Sequence, residues 1–239
     1  MEIEQSAFVL HSRSYRETSA IVTFLTPEYG KINGVVKGVR GSSKTSSQKA
    51  AAIQPFQKVN VQWREKKASS SDLISIRQFE SLPVRFPLQS SANICGLYIN
   101  ELLYKLLFPH VQADKLFESY QHALYALLKS QTLEQQAWAL RQFEAELLAE
   151  MGHALLTEYD VNQAPIEVGV EYYYYPNMGA IPALQDRVKQ GVLINGGCLK
   201  ALADNRYDEA CLASLKKLFR ILLAEYLGGK QIKTRELFR

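Results

Sequence analysis

Lysine and arginine side chains recur along the start of the chain with few acidic residues between them. From Ala7 to Lys49 they are Arg13, Arg16, Lys31, Lys37, Arg40, Lys44 and Lys49. A guanidinium group can bind a phosphate through two hydrogen bonds, whereas lysine acts as a mobile point charge. Such a series therefore indicates a surface for a nucleic-acid backbone. The plainer alternative is a set of solvated cations that bind nothing.

The charge of the chain is unevenly distributed. The 239 residues carry a net charge of +4. Residues 1–80 hold 12 Lys and Arg against 7 Asp and Glu, and the remainder holds 16 against 17. The basic excess therefore lies in the first third of the chain, as expected of an electrostatic footprint for phosphates.

This basic stretch has the pattern of a small β-barrel. The predicted strands are Ala7–Leu10, Ala20–Leu25, Ile32–Val36, the alternating segment around Val59, Val61 and Trp63, and Leu73–Phe79. Five short strands separated by turn residues fit an OB-type Greek-key barrel. An SH3-like barrel fits the strand count nearly as well. We expect Gly41–Lys49 to be a Gly/Ser/Lys loop that follows the third strand.

Three aromatic side chains in this stretch could stack on bases. Stacking contributes roughly 1–3 kcal/mol per base in single-strand binding. Tyr15 and Tyr29 stay open candidates, whereas Trp63 lies on the apolar face of its strand and is expected in the core.

After Pro83 and Pro87 the apolar period changes to that of helices. Helical stripes are predicted from Ser90 to Pro109, around Leu116–Leu128, from Thr132 to Gly152, and from about Asp208 to Leu227. Thr132 and Gln135 have the spacing of a capping box. Between the last two helices, Val168–Tyr175 and Ala180–Leu184 predict a β-hairpin. The fold class is therefore α+β, with a barrel, a helical bundle and a small hairpin-containing insertion.

The cysteines and histidines do not predict a metal or catalytic centre. Cys95, Cys198 and Cys211 are widely separated, so we expect neither a zinc site nor a disulfide scaffold. The four histidines are far apart, and no nucleotide-binding or hydrolase motif is present. We therefore expect no cofactor and no enzymatic activity. With no signal peptide or membrane span visible, we expect a cytoplasmic protein.

Eight motifs occur in the order found in the RecO recombination-mediator family, which the chain resembles. They are Phe8-Val9-Leu10-His11-Ser12-Arg13 with Tyr15-x-Glu17-Thr18-Ser19, Thr26-Pro27-Glu28-x-Gly30, Val36-Lys37-Gly38-x-Arg40, Gln54-Pro55-Phe56, Gly96-Leu97-Tyr98-Ile99-Asn100-Glu101-Leu102-Leu103, Leu140-Arg141-x-Phe143-Glu144, Tyr226-Leu227-Gly228-Gly229-Lys230, and Lys233-x-Arg235-Glu236-Leu237-Phe238. The resemblance spans nearly the whole chain and is weakest between residues 153 and 205.

This resemblance implies a bacterial, nucleoid-associated DNA-repair protein with an N-terminal OB-fold and a helical C-terminal domain. It implies binding of single- and double-stranded DNA and annealing of complementary strands. It also implies binding to the acidic tail of single-stranded-DNA-binding protein and, with RecR, loading of RecA. Many members carry a zinc site in the region of residues 153–205. This chain lacks the cysteines for one, which suggests the metal-free proteobacterial type.

The resemblance also suggests domains and site residues. The expected domains are an OB-fold at 1–82, a helical domain at 83–152 plus 206–239, and a degenerate zinc-region subdomain at 153–205. DNA would bind Arg13, Arg16, Lys37, Arg40, Lys44 and Lys49. The acidic tail would bind Arg141 and a notch lined by Leu97, Leu102, Leu116 and Phe117. For Arg141, the plainer alternative is an exposed arginine paired with Glu144 on the same helix face.

Two other functions stay open from the residues. An RNA-binding OB-fold module would present the same basic barrel. A metal-dependent nuclease would need clustered carboxylates, which the sequence does not display.

Overall fold

The computed structural model of the protein describes residues 1–64, 73–84 and 86–238, and its first element is a closed barrel. The strands are β1 (Glu2–Tyr15), β2 (Ser19–Thr26), β3 (Gly30–Val36), β4 (Lys58–Arg64) and β5 (Leu73–Ser81). Their order around the barrel is β1-β2-β3-β5-β4. All pairs are antiparallel except β3 with β5. This topology is that of an OB-fold and confirms the first of the two predicted barrels.

The barrel closes around alternating apolar residues. In β4, Val59, Val61 and Trp63 point inward and are at most 3% exposed, as the period of two predicted. Every residue of β2 is buried. Gly34 of β3 allows close packing, since a Cβ there would lie 2.6 Å from a side-chain carbon of Ile76.

The segment after β3 differs from the predicted loop. Residues Lys44–Ala52 form a helix, α1. The Ser43 hydroxyl caps it by accepting a hydrogen bond from the Ser46 backbone N–H at 3.1 Å. The loop prediction for Gly41–Lys49 is therefore wrong from Lys44 onward. The helix has no apolar stripe, with only Ser46 and Ala52 buried, so hydrophobic periodicity did not reveal it.

Two helices cover the outer side of β1. They are α2 (Ser90–Leu106) and α3 (Asp114–Lys129). β1 bulges between Val9 and His11, and Asn100 of α2 donates to the Leu10 carbonyl there at 2.8 Å. The Tyr120 hydroxyl of α3 donates to Asn100 at 2.7 Å. This buried network supplies partners for polar groups at the bulge.

The end of the chain returns to α2. A 3₁₀ segment, Lys233–Phe238, packs on this helix. Glu101 accepts hydrogen bonds from the backbone N–H groups of Lys233 (2.9 Å) and Thr234 (2.8 Å), and from the Thr234 hydroxyl. Burial opposes ionisation of Glu101, but these bonds and the one from Lys105 outweigh it and lower its pKa to about 2. A single carboxylate thus fixes the start of this segment.

The remaining elements form a second compact unit. They are α4 (Leu133–Glu150), a sheet of β6 (Glu171–Tyr175), β7 (Gly179–Pro182) and β8 (Val192–Asn195), then α5 (Gly196–Ala203) and α6 (Leu212–Leu227). The strand order is β7-β6-β8, so the predicted hairpin is confirmed and gains a third strand. Thr132 caps α4 as predicted, accepting from the Gln135 backbone N–H at 3.2 Å.

The expectation of no disulfide is wrong for one pair. Cys198 of α5 and Cys211, which directly precedes α6, are bonded with their Cα atoms 5.3 Å apart. They lie 13 positions apart in sequence, and the turn after α5 brings them together. Cys95 is buried and does not take part in this disulfide.

By its contacts the chain divides into two units. Unit 1 comprises Met1–Leu128 and the segment from Ile232 onward, and unit 2 comprises Lys129–Gln231. The three-domain division from sequence cuts the chain elsewhere and stays a prediction. Among the helices described, none is long and apolar enough to cross a membrane.

Candidate nucleic-acid interface

The turn between β1 and β2 is bonded to the segment that follows β3. The backbone N–H groups of Val39 and Arg40 both donate to the Thr18 carbonyl, at 2.8 and 3.3 Å. Arg16, in the turn itself, is exposed and has a φ of 52°. Two stretches that are distant in sequence therefore present Arg16 and Arg40 at the same end of the barrel.

Helix α1 adds cations to this end. The Lys49 ammonium donates to the Lys37 carbonyl at 3.3 Å, so the helix lies against the strand end that carries Lys37. Lys44 is exposed in the first turn of α1, and Arg13 is exposed on β1 shortly before the turn. We call Arg13, Arg16, Lys37, Arg40, Lys44 and Lys49 the cationic rim.

The rim cations do not form ion pairs within the part of the chain that the structure describes. Five of the six are exposed and Lys49 is half-buried. Their charge is therefore available to a polyanion, because no carboxylate neutralises it first.

Lys31 is a correction to the predicted series. It is 9% exposed, and its ammonium donates to the Tyr104 carbonyl of α2 at 2.7 Å. Lys58 points towards the helices that cover the barrel: its ammonium donates a hydrogen bond to the Gln121 side chain and lies over the rings of Phe8 and Phe117. Burial lowers the pKa of Lys58. These two lysines join the barrel to its helices, and neither belongs to the rim.

The three aromatic candidates have different surroundings. Trp63 is 3% exposed in the core, as predicted. Tyr29 packs edge-on against Trp63 with ring centroids 5.2 Å apart, so its ring serves the barrel. Tyr15 is half-buried near the rim, with the Arg16 guanidinium 5.1 Å from its ring centroid. Tyr15 is thus the aromatic candidate placed beside the cations.

Arg141 lies inside unit 2. Its side chain is 9% exposed, and its guanidinium bonds Glu144 at 3.0 Å, whose side chain is 1% exposed. The guanidinium also lies 5.7 Å from the ring centroid of Phe219 on α6. The predicted pairing with Glu144 is present, but the pair is buried and not exposed. The Arg141 Nε is also buried, and it finds no hydrogen-bond acceptor among the residues that the structure describes.

The apolar residues assigned to the same tail site lie in unit 1. Leu97 is half-buried on α2. Leu102, Leu116 and Phe117 are 0%, 1% and 9% exposed, and Phe117 packs 5.0 Å from Phe8 of β1. The last three therefore support the packing of helices on the barrel. A tail site that uses them together with Arg141 stays a prediction.

The side chains of residues 153–205 do not fit a zinc site. Cys198 is already bonded to Cys211. Asp160 accepts the backbone N–H groups of Asn162 and Ala164, and Asp186 accepts the Tyr175 hydroxyl and the Val188 N–H. Hydrogen bonds thus hold the loops that carry these carboxylates. Among the described residues, no three His, Cys, Asp or Glu side chains are grouped to hold a metal ion.

Comparison with known proteins identifies the family. The family model described as "Recombination protein O N terminal" matches residues 1–82, and "Recombination protein O C terminal" matches residues 88–236. The chain belongs to the recombination protein O family. The RecO resemblance seen in the sequence is thereby confirmed, and the first of these matched segments coincides with the OB-fold barrel.

Relatives of this recombination protein O chain are similar over nearly their whole length. The "DNA repair protein RecO" of Nitrosococcus oceani is 37% identical over 98% of this chain and 91% of its own. The proteins of the same name from Pseudomonas putida and Pseudoalteromonas atlantica are 36% and 33% identical, covering 97% and 95% of their own lengths. Among solved structures, Entamoeba histolytica asparaginyl-tRNA synthetase is 13% identical with a TM-score of 0.29, too low to support an argument.

Proposed function

We propose that this member of the recombination protein O family is a DNA-binding mediator of DNA repair and homologous recombination, without catalytic activity of its own. One observation carries the proposal: cations from three separated segments converge at one end of an OB barrel, and none of them forms an ion pair with a carboxylate in the described part of the chain. The names of its relatives point to DNA repair as the process, and the cationic rim is the surface that we propose binds the DNA.

The rim is suited to phosphates and not to base edges. Its members are lysines and arginines on the end of β1, the adjoining loops and a short helix, and phosphate contacts carry no sequence information. Binding should therefore be indifferent to sequence and strongly dependent on salt. Annealing needs nothing more: a protein that holds strands and screens their phosphates lets base pairing drive the reaction.

Protein partners complete the proposal. Single-stranded-DNA-binding protein, through its acidic tail, would bring the mediator to coated strands, and RecR would act with it to load RecA. Arg141 and the notch residues Leu97, Leu102, Leu116 and Phe117 are the proposed tail contacts. The free carboxylate at the end of the tail would require a cation, and the apolar side chain of the tail would require an apolar pocket beside that cation. The mediator would act in the bacterial cytoplasm.

The rim is tested by the double charge reversal Lys37→Glu/Arg40→Glu. Both side chains are exposed, so the fold should persist. We expect affinity for a single-stranded oligonucleotide at low salt to fall more than about tenfold. Lys115→Glu/Lys129→Glu, which reverses two exposed charges on α3, is the matched control and should change affinity much less. Equal losses in both variants would remove the rim from the binding surface.

Two further measurements separate the alternative functions. Competition between DNA and RNA oligonucleotides of one sequence tests an RNA-binding module, which would prefer RNA. Incubation of labelled DNA with magnesium or manganese tests a nuclease, which would shorten the substrate. We expect DNA to compete at least as well as RNA and to stay intact.

A further inference from the structure

The outer face of α6 in unit 2 carries three cations in its first three turns, and the exposed acid Glu225 follows only in the last turn. Lys216, Lys217 and Arg220 are exposed there, and the helix has no Asp or Glu from Leu212 to Ala224. Within the described chain, none of the three forms an ion pair. Their positive charge is therefore not neutralised by unit 2 itself.

Packing fixes which way these cations point. The opposite side of α6 is buried, and α6 packs against α4. The buried residues are Leu215, Leu218, Phe219, Leu222, Leu223 and Leu227. With 3.6 residues per turn, Lys216 and Arg220 follow one another on one side about 6 Å apart along the axis, and Lys217 lies beside them.

This concentration is local and does not reflect the charge of the unit. Residues 129–231 hold ten Lys and Arg against thirteen Asp and Glu, a net charge of −3. Three cations on one helix face of an acidic unit form a distinct electrostatic feature. A net-charge effect would not give this pattern.

We propose that Lys216, Lys217 and Arg220 form a second contact for a nucleic-acid backbone, used for the complementary strand during annealing. The proposal rests on the proposed function for its ligand, but it concerns different residues. Two strands repel each other through their phosphates. A protein with one cationic surface on each unit can neutralise both strands, whereas a single surface neutralises one.

The face suits a phosphate chain better than an acidic peptide tail. A tail is anchored by an apolar side chain in a pocket, whereas this face has Ala213 and Ala224 towards its ends and Ile221, 38% exposed, at its edge. The cavity of about 210 Å³ in unit 2 is lined by Leu222 and Tyr226 of α6, which are not among the three cations. The three cations therefore do not line this cavity.

The test uses the full-length chain with Lys216→Gln/Lys217→Gln/Arg220→Gln. The matched control, Lys129→Gln/Arg187→Gln/Lys189→Gln, removes the same charge from other exposed positions of unit 2. We expect the α6 variant to anneal complementary oligonucleotides about tenfold more slowly at low salt, with single-strand affinity within about twofold because the rim still binds. Circular dichroism and the melting temperature verify the fold of both variants.

A second measurement isolates the α6 contact from the rim. The α6 substitutions are added to the Lys37→Glu/Arg40→Glu variant, and the residual affinity for a single strand is measured at several salt concentrations. Each lost phosphate contact should reduce the slope of log affinity against log salt by ~0.7, so the loss of three contacts should reduce it by up to about two. Annealing and residual binding equal to the control would overturn the proposal, and so would a loss of acidic-peptide binding with unchanged annealing. If the rim substitutions leave single-strand affinity unchanged while the α6 substitutions still slow annealing, the rim proposal fails and this one stands.

Discussion

The rim of the barrel and the Arg141 site show two opposite uses of arginine in one molecule. At the rim, Arg16 and Arg40 are exposed, and neither forms an ion pair with any carboxylate that the structure describes. In unit 2, Arg141 is buried and bonded to Glu144 at 3.0 Å. The comparison teaches that an unpaired exposed cation is available to a ligand at little structural cost, whereas a buried pair is first a requirement of the fold.

The largest expected effect breaks the buried pair. Arg141→Ala leaves Glu144 buried without its cation, so we expect the free energy of unfolding to fall by about 3–5 kcal/mol. Urea denaturation followed by circular dichroism measures it. The double substitution Arg141→Met/Glu144→Met removes both charges and should recover most of the loss. A single variant as stable as wild type would show that the pair is not buried as described.

The same double variant sharpens the tail-binding proposal. If it folds, the contribution of Arg141 to partner binding is measured without the stability change that accompanies Arg141→Ala. We expect weaker binding of an acidic peptide ending in phenylalanine, with DNA binding unchanged. Equal peptide binding by the double variant and wild type would exclude Arg141 from the tail site.

How far the sequence predicted these two regions depends on the kind of signal. The barrel followed from period-two alternation in segments such as Val59–Trp63, and the rim cations from their density. Helix α1 was missed because it has no apolar stripe. The burial of Arg141 was missed because helix periodicity places residues on a face but does not show which neighbouring helix, here α6 with Phe219, covers it.

A smaller effect is expected at the polar network on the barrel bulge. Asn100 bonds the Leu10 carbonyl and the Tyr120 hydroxyl, both buried. Asn100→Ala leaves these groups without their partner, and each such loss costs about 1–3 kcal/mol. We expect the free energy of unfolding of unit 1 to fall by at least about 2 kcal/mol, the sum of the two lower limits. A thermal melt tests this, with exposed Gln112→Ala as control; a melting temperature unchanged from wild type would contradict the assigned role.

The Glu101 contact predicts a dependence on pH. Its folded-state pKa of about 2 lies below the ordinary value of 4.5, so its ionised form stabilises the fold above pH 4.5. That contribution is lost as the pH falls from 4.5 towards 2. At neutral pH we expect the free energy of unfolding of Glu101→Gln to be about 1 kcal/mol below that of wild type, the cost of losing a helix cap. This difference in stability should disappear as the pH falls towards 2. A gap that is constant down to pH 2 would show that the carboxylate charge is not involved.

The smallest stability effect is expected at the rim, and it completes the comparison with Arg141. Lys37→Ala removes an exposed, unpaired cation whose backbone carbonyl, the acceptor for Lys49, stays in place. We therefore expect the free energy of unfolding to change by less than about 0.5 kcal/mol. The slope of log affinity against log salt for a single strand should still decrease by about 0.7, one phosphate contact. An unchanged slope would mean that Lys37 does not contact the strand. A large loss of stability would mean that the rim, like Arg141, serves the fold before it serves a ligand.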